Sequence, residues 1–235
     1  MCGRFTSLTP PEELATMFAA ELSSSGAEFR ANYNVAPSTQ ILVVARAGDG
    51  GRRLGRMTWG LVPSWTKERR GSGHINARAE TVSEKPSFRS SFRTKRCLVP
   101  MDGYFEWRTV PTAGSSLTGP KRAVYVTRTD GRPMAVAGLW ATWRSPGSDE
   151  VLRSCCVITT AANAALARVH DRMPAVVEPE DWSDWLGESS NDEAESRRRA
   201  LDVLVPSEEG VLTMIEVGSE VNSVRNNGPQ LIVAR

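Results

Sequence analysis

RAVYVTRTDGRPMAVAGLW, residues 122–140, is the stretch whose reading decides the fold class. Arg122 to Thr127 and Met134 to Trp140 are strand-like runs, and Asp130-Gly131-Arg132-Pro133 between them is turn chemistry. Moving outward, similar runs recur at Ile41 to Ala45, Arg56 to Gly60, Cys97 to Val99, Tyr104 to Arg108, Leu152 to Thr159 and Val211 to Val217. A second turn falls at Asp49-Gly50-Gly51. Short strands in succession, with few helices between them, argue against an alternating parallel sheet. Helical signals sit at the margins. Thr9-Pro10-Pro11-Glu12 has capping-box spacing ahead of Leu14, Met17 and Phe18. A short helix is predicted after Thr160 through Ala167, and another near Pro179 with Trp182, Trp185 and Leu186 at helical spacing. A third is predicted from about Asp192 to Leu204. Residues 21–30, 111–120 and 187–196 read as polar loops.

The chain of 235 residues, 40% hydrophobic and 24% charged, suits one large globular domain. A formal net charge of +2 excludes no class of partner, so a DNA-binding surface would need its positive charge gathered on one face. The four cysteines are Cys2, Cys97, Cys155 and Cys156, and the two histidines are His74 and His170. Without a CxxC this set argues against a classical zinc site. Cys97, Cys155 and Cys156 lie in strand-like runs and read as buried, reduced thiols of a cytosolic protein. No stretch approaches the roughly 20 apolar residues of a membrane span, and no signal-peptide pattern is visible.

Met1-Cys2-Gly3-Arg4 opens the chain. Initiator methionine is commonly removed before a small second residue, which would leave Cys2 with an α-amine beside its thiol. That aminothiol condenses with an aldehyde to a Schiff base, and the sulfur then closes a five-membered thiazolidine. Reference pKa values near ~8 for the amine and ~8.5 for the thiol predict a useful nucleophilic fraction of each at neutral pH. A second-position cysteine is otherwise an inert, frayed terminus, and alone it decides nothing.

Other polar groups read two ways. Asn76, in Ile75 to Glu80, could orient a substrate oxygen or a terminal amine, and Arg78 could hold a phosphate; on spacing alone a capped helix or turn is favoured. In Gly103 to Trp107, strand alternation puts Phe105 and Trp107 on one side and Tyr104 and Glu106 on the other. Glu106 reads equally as a proton-transfer group and as a solvated edge carboxylate. His170, in His170-Asp171-Arg172-Met173-Pro174, could exchange protons near neutral pH or cap the preceding helix, and Arg172 could bind phosphate. Trp65 offers a surface for stacking on a base, whereas Trp59 reads as core. The basic clusters Arg89, Arg93, Lys95, Arg96 and Lys67, Arg69, Arg70 read as solvated faces or as a phosphate track.

Taken together and in this order, the motifs resemble one family, the SOS response-associated peptidase (SRAP) family. The resemblance rests on Met1 to Phe5, Tyr33 to Pro37, Trp59 to Trp65, Ile75 to Glu80, Lys85 to Phe88, Arg96 to Pro100, Gly103 to Trp107, His170 to Pro174 and Val224 to Pro229. It therefore spans essentially the whole chain.

It implies a sensor of abasic sites in single-stranded DNA. Cys2 would form the thiazolidine with the ring-opened sugar, Asn76 would position the terminal residue, and Glu106 would move protons during Schiff-base formation and reversal. His170 would help open the sugar. Arg4, Arg78 and Arg172 would grip the phosphate backbone, Asn34 and Pro37 would lie on a loop near the groove, and Trp65 would wedge against a base. Abasic-site lyase activity and self-removal of Met1 would accompany the crosslink. The alternatives are a thiol peptidase and a non-catalytic single-strand binding module. No cofactor, metal or membrane is implied, and a cytoplasmic monomer is expected. The fold implied is α+β: a single compact domain over residues 2–235, with a β-rich, mostly antiparallel, barrel-like core and peripheral helices. Two departures stand out. Thr66 occupies a position where some members carry a second tryptophan, and Tyr104-Phe105 reverses the family's usual order.

Overall fold

The computed structural model describes residues 2–23, 29–68, 71–110 and 119–235. Met1, Arg69, Arg70 and parts of the polar loops 21–30 and 111–120 lie outside the described residues. The described chain begins β1 (Phe5–Ser7), α1 (Pro11–Met17), β2 (Ala20–Leu22), β3 (Asn32–Val35), β4 (Gln40–Arg46), β5 (Arg52–Trp59), β6 (Asn76–Arg78) and α2 (Arg89–Thr94). It continues β7 (Arg96–Met101), β8 (Gly103–Thr109), β9 (Lys121–Arg128), β10 (Met134–Arg144), β11 (Val151–Ala161) and β12 (Arg172–Pro174). It ends α3 (Trp182–Leu186), α4 (Glu193–Asp202) and β13 (Leu212–Glu216).

Two sheets make the α+β fold. A five-stranded antiparallel sheet runs β13-β9-β8-β1-β3, and an eight-stranded sheet runs β12-β11-β10-β7-β4-β5-β2 with β6 beside β11. A short parallel pairing of β5 with β11 closes β11-β10-β7-β4-β5 into a small barrel. β2 with β5 and β6 with β11 are also parallel, and the other strand pairs are antiparallel.

Strand alternation assigns each face its partner. Ile41, Val43, Cys97, Val99, Val136, Cys155 and Val157 join Phe5, Tyr104, Val124 and Val126 of the smaller sheet in one core. The intervening Leu42, Val44, Leu98, Ala135, Ala137, Cys156 and Ile158 join Leu14, Phe92, Trp185 and Ala200 of the four helices in a second core. A third cluster packs Phe105 and Tyr125 on Val217, Val221 and Leu231, so the C-terminal segment covers the outside of the smaller sheet.

All eight strand-like runs read in the sequence are strands. The turn at Asp130 to Pro133 does more than reverse the chain: β9 belongs to the smaller sheet and β10 to the larger one. Gly131 takes φ 73°, which a side chain would resist, and the Asp130 carboxylate accepts from the guanidinium groups of Arg128 and Arg132. The helix starts differ from expectation. Pro10 is the N-cap of α1 with no side-chain cap, because the Thr9 hydroxyl donates instead to Asp102. The helix predicted through Ala167 is replaced by the end of β11, a turn and a 3-10 segment over Leu166–Arg168. α4 does carry the expected cap, with the Asp192 carboxylate accepting the Glu195 N–H at 2.8 Å. Among the described residues, no helix is long and apolar enough to cross a membrane.

Candidate functional site

Cys2, the second residue, sits inside the core between the sheets. β1 pairs with β8 in the register Phe5–Tyr104 and Thr6–Gly103, and the Phe105 N–H donates to the Arg4 carbonyl at 2.9 Å. Extended two residues, that register brings Gly3 opposite Glu106. Phe5 meets Trp59 edge-on with ring centroids 5.2 Å apart. Cys2 is 1% exposed and belongs to the same buried cluster as Tyr104. Glu106 is 5% exposed and shares the inward face of β8 with Tyr104, as the alternation predicts.

Asn76 reaches this cluster from the other sheet. It opens β6, opposite Val157 of β11. The Trp59 indole N–H donates to the Ile75 carbonyl at 2.9 Å, which anchors the preceding residue. From there Asn76 Nδ2 donates to the Cys2 carbonyl at 2.9 Å. Asn76 Oδ1 is buried and has no hydrogen-bond partner among the described residues. The turn-or-cap reading of Asn76 is thus replaced by a long-range contact.

Burial, reinforced by the negative charge of Glu106, pushes the Cys2 thiol well above its ordinary pKa. Burial, and then the proximity of Cys2 and Glu106, likewise pushes the Tyr104 hydroxyl well above its ordinary pKa. These shifts couple Cys2, Tyr104 and Glu106 electrically. Both shifts favour the protonated forms of these groups while Met1 is in place.

His170 follows the 3-10 segment and precedes β12, which pairs with β11 on the edge opposite β6. Its Nδ1 lies 2.9 Å from the Arg172 N–H and 2.8 Å from an Asp171 carboxylate oxygen. The first contact needs a lone pair on Nδ1 and the second a proton there, so Nδ1 makes one of them at a time.

The remaining predicted residues divide. Arg78 and Trp65 are exposed, Trp65 at 62%. Arg172 is largely enclosed, and Nη2 donates to Glu80 Oε2 at 3.0 Å and to the Thr159 carbonyl. Pro37 lies on the expected turn, but Asn34 is on β3 and buried. Asn34 Nδ2 donates to the carbonyls of Val221, Ser223 and Asn226. Arg4 donates to Asn34 Oδ1 at 2.8 Å and to the Val221 carbonyl, and stacks over Trp107 at 5.8 Å. Arg4 and Asn34 therefore clamp the C-terminal segment, with Trp107 donating to Asn222 at 2.7 Å. Arg96 of the basic cluster is buried, donating to Trp185 O, Phe92 O and Ser196. Two residues of the site carry no separate role in the sequence reading. Glu80, the partner of Arg172, has no local signal. Tyr104 is placed by its shared parity with Glu106. Among the described residues, no trio of His, Cys, Asp or Glu is grouped as a metal site would be.

Fold and site together define a two-sheet α+β protein whose second residue, a cysteine, is held in a buried polar cluster. Residues 1–224 match the family described as SOS response associated peptidase (SRAP), and the chain belongs to that family. It is 35% identical over 233 residues to the abasic site processing protein YoqW of Bacillus subtilis, covering 99% of each chain. It is 34% identical to YoaM, a second abasic site processing protein of that organism, over 100% of this chain and 98% of the relative. A crystal structure of a Bacteroides thetaiotaomicron protein shares the fold, with a TM-score of 0.81, 23% identity and 100% coverage of both chains.

Proposed function

We propose that this chain processes abasic sites in single-stranded DNA by capturing the ring-opened sugar on Cys2 once Met1 has been removed. The α-amine adds to the aldehyde and water leaves, giving a Schiff base. The thiol then adds across the C=N bond: a C–S bond forms, and the sulfur's proton ends on nitrogen, completing the thiazolidine. Glu106 is the carboxylate that relays those protons, and His170 assists ring opening of the sugar. β-Elimination from the Schiff base, with loss of the 3′ phosphate, accounts for an accompanying lyase activity. Arg78 and Trp65, both exposed, supply phosphate and base contacts.

One observation carries this reading. Asn76 grips the Cys2 carbonyl while its own carbonyl oxygen stays buried and unpartnered, an acceptor suited to the α-amine that loss of Met1 would expose. A neutral, enclosed thiol also fits an order of events in which the amine reacts first. A peptidase acting on other proteins is the weaker reading, because it needs a thiolate nucleophile and the burial and charge around Cys2 oppose one. Self-removal of Met1 is retained as an intramolecular event. Tryptic mass spectrometry should find Cys2 at the N-terminus. A denaturing gel with abasic single-stranded oligonucleotide should show a stable band for the intact chain and none for Cys2→Ala. Equal bands would discard the proposal, as would capture by a chain extended ahead of Cys2.

A further inference from the structure

Four arginines face one another across a cleft on the helical side of the molecule. Arg89 and Arg93 on α2, and Arg197 and Arg198 on α4, line a space of about 690 Å3. That lies within the range of ligand-sized clefts, roughly 300–1,000 Å3. No acidic side chain lines it directly. Its apolar floor includes Phe92, 1% exposed, and Leu201, 41% exposed. Phe92 packs with the helices on the side chains of β7 and β10 that point away from the cluster holding Cys2. The cleft is therefore separate from the proposed capture site.

The cleft already shows how it takes a carboxylate. Arg93 forks onto Glu193 at its rim, Nε to Oε1 at 2.8 Å and Nη2 to Oε2 at 3.1 Å. Arg197 approaches the same carboxylate at 3.5 Å, and Arg198 pairs with Asp202 at 3.0 Å. The exposed Arg89 guanidinium has no ion pair among the described residues. A planar guanidinium recognises a planar carboxylate through two parallel hydrogen bonds.

We propose that this cleft binds an acidic peptide segment of a partner protein, its carboxylates on the arginine walls and one apolar side chain on Leu201. Single-stranded DNA fits less well. Bases bind such grooves by stacking on open aromatic faces, and the one aromatic ring here is enclosed.

Fluorescence anisotropy of the full chain with a labelled peptide of glutamates around a Leu-Phe pair tests this. Binding on the order of 10 µM is expected at low salt. Arg89→Glu with Arg198→Glu should weaken it at least about tenfold without moving the melting midpoint or the alkylation rate of Cys2. Leu201→Ser should weaken that peptide but not one with Gly-Ser in place of Leu-Phe. Undiminished binding by the double variant overturns the proposal. So does equal affinity for the Gly-Ser peptide, which would be unspecific charge attraction. Displacement of the peptide by an intact oligothymidine, lost in the same double variant, would reassign the cleft to nucleic acid and overturn it too.

Discussion

Asn76 Nδ2 lies 2.9 Å from the Cys2 carbonyl, so a residue held within the eight-stranded sheet fixes the first residue of the smaller sheet's leading segment. The bond joins positions 74 residues apart and is partly buried, with Cys2 itself enclosed. Removing it leaves a buried carbonyl unsatisfied, at a cost of about 1–3 kcal/mol. Asn76→Ala should lower the melting midpoint by several degrees and cut abasic-site capture by at least about tenfold. Asn76→Asp keeps the size but replaces the donor with a carboxylate. It should capture no better than Asn76→Ala; full activity would show that the donated hydrogen bond is not what matters.

Glu106 offers a sharper separation of roles, because its charge raises the Cys2 pKa while its proposed work is proton relay. Glu106→Gln removes both. The thiol pKa should then fall, and alkylation of Cys2 by iodoacetamide at pH 8 should quicken. Capture of abasic DNA should slow by about 100-fold, the lower range for loss of a positioned acid-base group. If capture and alkylation change in the same direction, Glu106 acts only on the thiol and the relay is wrong.

How far the sequence foretold this arrangement depends on the range of the interaction concerned. β4, β7, β10 and β11 are long and apolar, so their pattern alone is readable. β1, β6 and β12 are three residues each and exist because neighbours offer them hydrogen bonds, which no local pattern records. α2 reads as a basic cluster because Arg89, Ser90 and Arg93 hide the buried Ser91 and Phe92 beneath them. The inward parity of Glu106 follows from alternation, but its burial does not, since a smaller sheet covering it is a tertiary fact. Arg4, Asn34 and Arg172 carry motif resemblance without local cues to their partners. Asn34 and Arg4 hold Val221, and Arg172 holds Glu80.

Cys2, Cys97, Cys155 and Cys156 share one titration sign. Burial raises Cys97 and Cys155 well above the ordinary thiol value, pushes Cys156 up to about 12, and raises Cys2 as well. A raised acid is neutral in the fold, so its stabilising contribution is complete below the unfolded thiol pKa of about 8.5. It is lost as pH climbs from there toward the folded value. The melting midpoint should hold steady through neutrality and fall above pH 9. Each such thiol contributes up to about 1.4 kcal/mol of that loss per pH unit. Cys156→Ala should shallow the alkaline limb in a pH series of thermal melts. An unchanged limb would mean that Cys156 ionises as readily in the fold as in the unfolded chain.

The clamp on the C-terminal segment rests on Asn34, whose amide serves the carbonyls of Val221, Ser223 and Asn226. Arg4 adds a donor to Val221, and Trp107 adds one to Asn222. Asn34→Ala removes the amide donor from all three carbonyls, of which Val221 keeps Arg4 and Ser223 keeps the Asn226 N–H, and leaves the Arg4 guanidinium without its Oδ1 acceptor. Val221 and Leu231 seal Phe105 and Tyr125 on the outer face of β8 and β9, so a loosened segment exposes aromatic surface. Amide exchange should accelerate over residues 219–232 first, with a global cost of about 1–3 kcal/mol. Arg4→Ala should give the same pattern more weakly, since one of its two acceptors keeps Asn34 as a partner. Because β8 also carries Glu106 on its inner face, capture should fall in both variants only to the extent that exchange in β8 itself rises. A drop in capture with β8 fully protected would instead mean that Arg4 and Asn34 touch the DNA directly.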